Sequence, residues 1–192
     1  MAFGFYFDMT RCIGCRACQV ACKDKNRLEV GALYREVKSY TVGAFPDVKT
    51  YSYSGSCNHC ENPICLSNCP TGAISKAADG TVIQDQSKCI GCRMCVMSCP
   101  YGHPQYFPEK GVSGKCDGCY GLRANGDQPA CVAGCPNRAL DAGDIDELRK
   151  KYAGDLDNGT IVVLPNPDLT RPHVLVKTKD LAFDKSAVEL TW

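Results

Sequence analysis

Sixteen cysteines, gathered into four tight groups, constrain this chain of 192 residues more than any other feature. Eighteen glycines and eleven prolines further dilute the residues that form helices and strands. We therefore predict a loop-rich fold, organised by what the cysteines bind rather than by a large aliphatic core. The groups, in chain order, are Cys12, Cys15, Cys18, Cys22; Cys57, Cys60, Cys65, Cys69; Cys89, Cys92, Cys95, Cys99; and Cys116, Cys119, Cys131, Cys135.

An even number of cysteines also permits a disulfide framework, which is typical of small secreted domains. Residues 1–7 are apolar but lack a basic start and lead directly to Asp8 and Arg11, unlike a signal peptide. No apolar run approaches the length of a membrane span. The tight groups of four favour metal ligation, because a disulfide framework usually scatters its cysteines along the chain.

The formal net charge of +1 provides no basic field that would attract nucleic acid. Thiolates would add negative charge, which nearby basic residues could offset. The alternative for each of these residues is an ordinary solvated surface. The six basic residues beside the cysteines are Arg11, Arg16, Lys23, Lys88, Arg93 and Lys115.

The cysteine groups form an internal repeat. DMTRCIGCRACQVAC at 8–22 aligns without a gap with DQSKCIGCRMCVMSC at 85–99. The second and fourth groups also align if the fourth has seven extra residues inside it, and both end in the pattern P-x-C-x3-C-P-x2-A. The chain is therefore two copies of one pattern, each with a tight run of cysteines and a looser one.

Short β-rich runs at 4–8 and 81–85 precede the first and third groups, and 73–84 is predicted to form a strand, a glycine turn and a second strand. A short helix is predicted after the last cysteine of each group, with Pro70, Pro100 and Pro136 at first helical positions.

Beyond the cysteines, 144–152 is predicted to be an amphipathic helix with acidic residues early and basic residues late. TIVVLP at 160–165 and PHVLVK at 172–177 are predicted strands. The segment 180–192 shows no clear period and is expected to reach out to a partner.

The spacing C-x2-C-x2-C-x3-C is typical of bacterial ferredoxins, in which the fourth cysteine ligates the other cluster of a pair. Zinc sites instead use two C-x2-C pairs separated by a longer loop, so a zinc-bound interaction module is the weaker alternative. If the second group pairs with the third, and the first with the fourth, the rule gives four ligand sets. These are Cys12, Cys15, Cys18, Cys135 (cluster 1); Cys22, Cys116, Cys119, Cys131 (cluster 2); Cys57, Cys60, Cys65, Cys99 (cluster 3); and Cys69, Cys89, Cys92, Cys95 (cluster 4).

With these groups, the words CNHCENP, CIGCRMC, CPYG, KCDGCY and CPNRALDAGDIDELRKK resemble the iron–sulfur subunit of anaerobic dimethyl sulfoxide reductases, in the molybdopterin oxidoreductase family. The resemblance covers nearly the whole chain to about Lys151 and supports the same pairing of the groups. In the related nitrate reductases, a tryptophan replaces the second cysteine of the third group and leaves a three-iron cluster. Because this chain has Cys92 there, the resemblance implies four 4Fe-4S clusters.

The resemblance also implies partners rather than a substrate. Cluster 1 would face a molybdopterin catalytic subunit with molybdenum or tungsten, and cluster 4 a membrane anchor subunit that oxidises quinol. The chain itself would be non-catalytic, and would bind neither nucleic acid nor a small-molecule substrate directly. The complex would sit on the extracytoplasmic face, co-exported with a twin-arginine partner, with a cytoplasmic location as the alternative. A soluble formate-dehydrogenase type of enzyme, or a free polyferredoxin, are the alternative settings.

The expected fold class is α+β, with two ferredoxin-like units of the bacterial two-cluster type, short β-hairpins and helices, and a C-terminal extension. Residues 1–54 with 104–143 would hold clusters 1 and 2, and residues 55–103 would be an inserted unit holding clusters 3 and 4. Residues 144–192 would add a helix, strands and a partner-binding tail. Of the three histidines, His59 is expected to be a hydrogen-bonding neighbour rather than a ligand, His103 a loop residue and His173 a structural residue in a strand.

Overall fold

The computed structural model describes residues 2–154, 161 and 163–191. Most elements in these residues are short, and none of the helices is long and apolar enough to cross a membrane. The strands are β1 Phe3–Asp8, β2 Arg35–Val42, β3 Lys49–Ser56, β4 Ile74–Lys76, β5 Val82–Gln84, β6 Gln105–Phe107, β7 Val112–Gly114, β8 Leu140–Asp144, β9 Val174–Lys177 and β10 Val188–Leu190. The helices are α1 Ala17–Lys25, α2 Ile64–Ser67, α3 Met94–Ser98, α4 Tyr120–Ala124, α5 Ala130–Ala133 and α6 Ile145–Lys151, with single 3-10 turns at Gln86–Lys88, Pro167–Leu169 and Asp180–Phe183.

The first sheet joins the start of the chain to its later parts. Strand β1 lies in the centre, antiparallel to β8 with Phe5 opposite Ala142, and parallel to β9 with Phe5 opposite Val174. All six residues of β1 are buried. Phe3, Phe5 and Phe7 enter the main core, while Tyr6 stacks on Tyr152 just after α6. Because successive side chains of a strand point to opposite faces, both faces of this sheet are covered at β1.

The second sheet is a hairpin of β2 and β3, which the sequence analysis did not predict, extended by β10. The segment after 180 therefore folds back on the chain instead of reaching out, since Val188 pairs with Thr41 and Leu190 with Ser39. Ala182 in the preceding 3-10 turn is fully buried. A partner-binding role for this segment stays a prediction, and Trp192 lies outside the described residues.

Most of the predicted strands and the late helix are confirmed. The run 73–84 forms the hairpin of β4 and β5, residues 4–8 lie in β1, and 172–177 contains β9. Helix α6 begins after Asp144, whose carboxylate accepts hydrogen bonds from two N–H groups of the first turn. The strand predicted at 160–165 falls partly outside the described residues, and its described part forms a turn in which the Leu164 N–H donates to the Ile161 carbonyl.

The helices predicted after the last cysteine of each group are wrong in position. Helices α1, α2, α3 and α5 instead each contain the third cysteine of a group. Three of them end before the last cysteine, because proline disfavours helical backbone in the residue before it. Cys99, which precedes Pro100, is extended, with φ −75° and ψ 116°. Cys22 is followed by Lys23 instead of proline, and α1 continues through it to Lys25.

The helices pack in pairs that follow the predicted grouping of the cysteines. Helix α1, from the first group, packs on α5 from the fourth, and α2, from the second group, packs on α3 from the third. The α+β fold with ferredoxin-like character is as predicted. The exact bounds of the two units, 1–54 with 104–143 and 55–103, stay a prediction.

Candidate iron–sulfur cluster sites

The two tight cysteine loops have the same backbone shape. Gly14 and Gly91 have φ of +70° and +68°, and Arg16 and Arg93, which directly precede α1 and α3, both have φ of +62°. A side chain at Gly91 would place its Cβ 2.2 Å from the Gly111 carbonyl oxygen, so the glycine is required there. The sequence repeat is therefore also a repeat of local structure.

The four cysteines predicted for cluster 1 line one hollow beside α1: Cys12, Cys15, Cys18 and Cys135. Burial raises the pKa of the Cys12 thiol, and the charges of Cys18, Cys135 and Cys15 raise it further. Each thiolate thus disfavours the others unless a cationic core binds them together. This donor set fits an iron–sulfur core, which supplies such positive charge.

The four cysteines predicted for cluster 2 are all buried. Burial raises the pKa of the Cys22 thiol to about 12, with further contributions from Cys131 and Cys119. Burial is also the largest cause of the strongly raised pKa of Cys116, followed by the charges of Cys22, Cys57 and Cys131. The four thiols from α1, the loop before α4 and helix α5 therefore meet within electrostatic range.

The cysteines predicted for cluster 3 are also brought together. Burial raises the pKa of the Cys65 thiol to about 12, and the charges of Cys57, Cys99 and Cys60 act in the same direction. The positive charge of Lys115 acts in the opposite direction and lowers the pKa of Cys65. Cys99 comes from the end of the third group, so this site joins the second and third groups.

Three of the four cysteines predicted for cluster 4, Cys89, Cys92 and Cys95, come within electrostatic range of one another. Burial raises the pKa of the Cys95 thiol, and the charges of Cys89 and Cys92 contribute. Cys69 packs against the small buried core that contains Cys95 and Ile74. Although burial raises the pKa of Cys69, hydrogen bonds from the Thr71 hydroxyl and nearby backbone N–H groups outweigh it and lower the pKa.

Backbone N–H groups point at several of these sulfurs. Gly118 donates to Cys116 Sγ at 3.3 Å, Ala139 to Cys135 Sγ at 3.3 Å, and Ser113 to Cys89 Sγ at 3.4 Å. Such donors stabilise thiolate over thiol. All sixteen cysteines, which lie in the described part of the chain, are free of disulfides. Among the described residues, no three His, Cys, Asp or Glu side chains converge tightly enough to hold a single metal ion.

The four groups of thiols form a row. Cys131 of the second set acts on Cys18 of the first, and Cys57 of the third set acts on Cys116 of the second. Cys65 of the third set shares the small core with Cys95 of the fourth. At the two ends of the row the chain opens to solvent, since Cys15 and Cys92 are exposed. Each exposed cysteine lies in a loop with an exposed isoleucine, Ile13 or Ile90.

Of the six basic residues noted beside the cysteines, Lys115 alone is buried; the other five are exposed or half-buried. The sequence analysis missed a second buried cation, Arg35, because it lies far from any cysteine along the chain. Its guanidinium donates to the Ser54 carbonyl and hydroxyl at 3.0 and 3.1 Å and to the Ser56 hydroxyl at 2.7 Å. Burial lowers the pKa of Arg35, but the charges of Cys131, Cys18 and other nearby cysteines outweigh it and raise the pKa. Arg35 is therefore a counter-charge between the first two sets.

The three histidines differ in their surroundings. His59 is fully buried, and its Nδ1 accepts a hydrogen bond from the Val82 N–H at 3.1 Å, consistent with a hydrogen-bonding neighbour. His103 stacks on Tyr101, and burial lowers its pKa to about 3. His173 holds the chain before β9 through backbone hydrogen bonds to Asn58 and Phe5. His173 lies just before β9 rather than in the strand, and its structural role stays a prediction.

Comparison with known proteins agrees with this chemistry. Two models of the 4Fe-4S dicluster domain match the chain, one over residues 48–145 and one over residues 11–73. Fold and thiol groups thus define an iron–sulfur protein of the 4Fe-4S dicluster class.

Curated relatives define the family. The chain is 46% identical over 183 residues to the B subunit of the anaerobic dimethyl sulfoxide reductase of Escherichia coli K12, covering 91% of this chain and 88% of the relative. It is 46% identical over 189 residues to the B subunit of the same reductase from Haemophilus influenzae, covering 94% and 91%. It is 44% identical over 149 residues to the thiosulfate reductase electron transfer subunit PhsB of Salmonella typhi, covering 73% and 74%. The chain belongs to the family of iron–sulfur subunits of anaerobic dimethyl sulfoxide reductases, an electron-transfer family, as its motifs predicted.

Proposed function

We propose that the chain holds four 4Fe-4S clusters and relays single electrons between a quinol-oxidising membrane anchor subunit and a molybdopterin catalytic subunit. The observation that carries this proposal is the row of four thiol groups, open to solvent at its first and last members. When bound, a 4Fe-4S cluster supplies one-electron chemistry, with a potential set by charge, hydrogen bonding and burial.

The proposed ligand sets are those of the crosswise rule, so that Cys135 completes the set of Cys12 and Cys99 completes the set of Cys57. The packing of α1 on α5 and of α2 on α3 supports this crossing, because it brings distant cysteine groups together. The protein supplies thiolates and buries all four of the second set and two of the third. It places Arg35 between the first two sets and Lys115 beside the third as counter-charges. No catalytic residue is proposed.

The exposed loops at the ends of the row are the proposed contact points with partners. The loop with Ile13 would face the catalytic subunit, and the loop with Ile90 together with Met97 of helix α3 would face the membrane anchor, since all three side chains are largely exposed. The names of the relatives, which are subunits of dimethyl sulfoxide and thiosulfate reductases, support such a complex. We place it on the extracytoplasmic face, exported together with a twin-arginine partner.

The test is to purify the native complex without oxygen through a tag on this chain. The proposal expects stoichiometric molybdenum or tungsten, a membrane subunit, and cluster reduction by a quinol analogue. Molybdenum or tungsten without a membrane subunit would instead indicate a soluble enzyme of the formate-dehydrogenase type. Iron without either metal would leave a free polyferredoxin and would overturn the proposed complex.

A further inference from the structure

His59 has a defined tautomer. Its Nδ1 accepts the Val82 N–H, and a neutral imidazole that accepts on one nitrogen carries its proton on the other. The Nε2–H therefore faces Cys116 Sγ, at 3.9 Å. His59 lies between Cys57 and Cys60, in the loop of the third set, but Cys116 belongs to the second. This histidine thus donates from one inner set to the sulfur of the other.

Lys115 makes the reverse connection. It directly precedes Cys116 in the second set, and its ammonium lies 3.8 Å from Cys57 Sγ in the third. The same ammonium donates to the Cys116 carbonyl at 2.9 Å and to the Val82 carbonyl. No ion pair among the described residues includes Lys115. A buried ammonium without a carboxylate is costly unless other negative charge balances it, and the thiolates of the two sets would provide that charge.

A single residue of strand β5 aligns both donors. The Val82 N–H fixes the His59 ring, and the Val82 carbonyl accepts from Lys115. Val82 itself is buried, so water does not compete with these contacts. The two donors therefore form a reciprocal bridge at the junction of the second and third sets.

We propose that His59 and Lys115 are positioning residues that raise the reduction potentials of clusters 2 and 3, each donating from the loop of one cluster to a ligand sulfur of the other. This inference rests on the proposed function, in which these thiols hold clusters. A hydrogen bond or a positive charge at a ligand sulfur favours the reduced, more negative state of the site. Because the bridge is reciprocal, it affects the reduction potentials of both clusters 2 and 3 and does not affect those of clusters 1 and 4.

The test is a redox titration of the cluster-loaded complex, followed by electron paramagnetic resonance. Lys115→Met removes the ammonium and keeps an unbranched side chain. Lys88→Met is the matched control, because Lys88 precedes Cys89 as Lys115 precedes Cys116, yet it is exposed and pairs with Asp85 at 3.7 Å. Iron and acid-labile sulfide are counted first in every sample.

In Lys115→Met, we expect two of the four midpoints to fall by about 59 mV or more, which is a tenfold change in the one-electron equilibrium. The other two midpoints stay in place, and Lys88→Met leaves the inner two unchanged. In Lys115→Arg, which keeps the charge, the two midpoints should lie close to those of the parent protein. If no midpoint falls, or if all four fall together as in a generally loosened protein, the inference is wrong.

Two further measurements decide the matter if Lys115→Met does not retain its iron. His59→Phe keeps the edge-to-face packing on Phe3 but removes both ring nitrogens, and it should lower one of those two midpoints, that of cluster 2, whose ligand Cys116 loses its donor. In the unaltered protein, isotopically labelled lysine and histidine nitrogens should couple to the reduced clusters in pulsed resonance spectra, and the lack of both couplings would overturn the inference. A parent protein without clusters would refute the proposed function instead, whereas a fully loaded parent with unmoved variant midpoints would refute the bridge alone.

Discussion

Replacing Arg35 with methionine is expected to destabilise the cluster-loaded protein strongly. Arg35 is 2% exposed, and its three hydrogen bonds go to the neutral oxygens of Ser54 and Ser56. The negative charge that acts on it comes from the surrounding cysteines of both the first and the second sets, and its guanidinium also lies 4.8 Å from the centre of the Phe5 ring. The methionine variant would remove the three hydrogen bonds to Ser54 and Ser56 and the counter-charge of the thiolates.

The cost follows from the chemistry of buried charge. Removing one partner from a buried charged network costs about 3–5 kcal/mol. For a chain of this size, each kcal/mol lowers the midpoint temperature by about 2–4 °C, so the expected fall is roughly 6–20 °C. The midpoint temperature of Arg35→Lys should fall less, because lysine keeps the charge but lacks the planar guanidinium that reaches two serines.

The assay is the temperature at which half of the visible cluster absorbance is lost, measured without oxygen at a fixed heating rate. The matched control is Lys38→Met on the same strand, β2, where Lys38 pairs with Glu189 at 3.1 Å and both side chains are 40% exposed. An exposed pair contributes about 0–1 kcal/mol, so the control should fall by no more than about 4 °C. If the midpoint temperature of Arg35→Met is lowered no more than that of Lys38→Met, the reasoning that Arg35 is a buried counter-charge is refuted.

Three further perturbations test other parts of the account. Cys135→Ser should expose the N-terminal segment to limited proteolysis, since it removes the proposed distant ligand of cluster 1, whereas Cys69→Ser should leave that segment resistant; an intact N-terminus in both would count against the crosswise pairing. Gly91→Ala should lose visible cluster absorbance on purification, because its Cβ would meet a carbonyl oxygen at 2.2 Å, while Gly72→Ala, with φ +64° and open space around it, should cost only about 1 kcal/mol; equal retention would contradict the close approach. Asp144→Ala should cost about 0.5–2 kcal/mol at neutral pH through the lost helix cap, and Asp144→Asn much less. Burial raises the pKa of Asp144, but three backbone N–H donors together outweigh it and lower the pKa. This stabilisation is therefore present above the unfolded pKa and is lost as pH falls through the folded one; a constant difference between Asp144→Ala and the parent across that acid range would be inconsistent with it.

The repeat and the grouping of the cysteines could be predicted from the sequence, because ligand spacing is a local property. The loops at Gly14 and Gly91 share one backbone shape because both have the sequence CIGCR. The family and the α+β class followed from these motifs. Helix positions were mispredicted because the proline after a cysteine suits either a first helical turn or the end of the preceding helix, and here it ends the helix.

Long-range features could not be predicted from spacing. Strand β2 buries Val37, Tyr40 and Val42, but the three-residue spacing from Val37 to Tyr40 breaks the two-residue alternation that indicates a strand in a sequence. The pairing of Val188 with Thr41 joins strands that are distant in sequence, and no local sequence pattern predicts it. Arg35 acts on thiols that are distant in sequence, so its role became visible only once the strands and helices were assembled.

The central claim is that sixteen cysteines hold four 4Fe-4S clusters, and a direct count tests it. Iron and acid-labile sulfide should be measured in the protein purified without oxygen, with Mössbauer spectra of the same sample. The account predicts about sixteen irons and about sixteen sulfides per chain, all in cubane environments. About eight irons, or zinc with no labile sulfide, would contradict it.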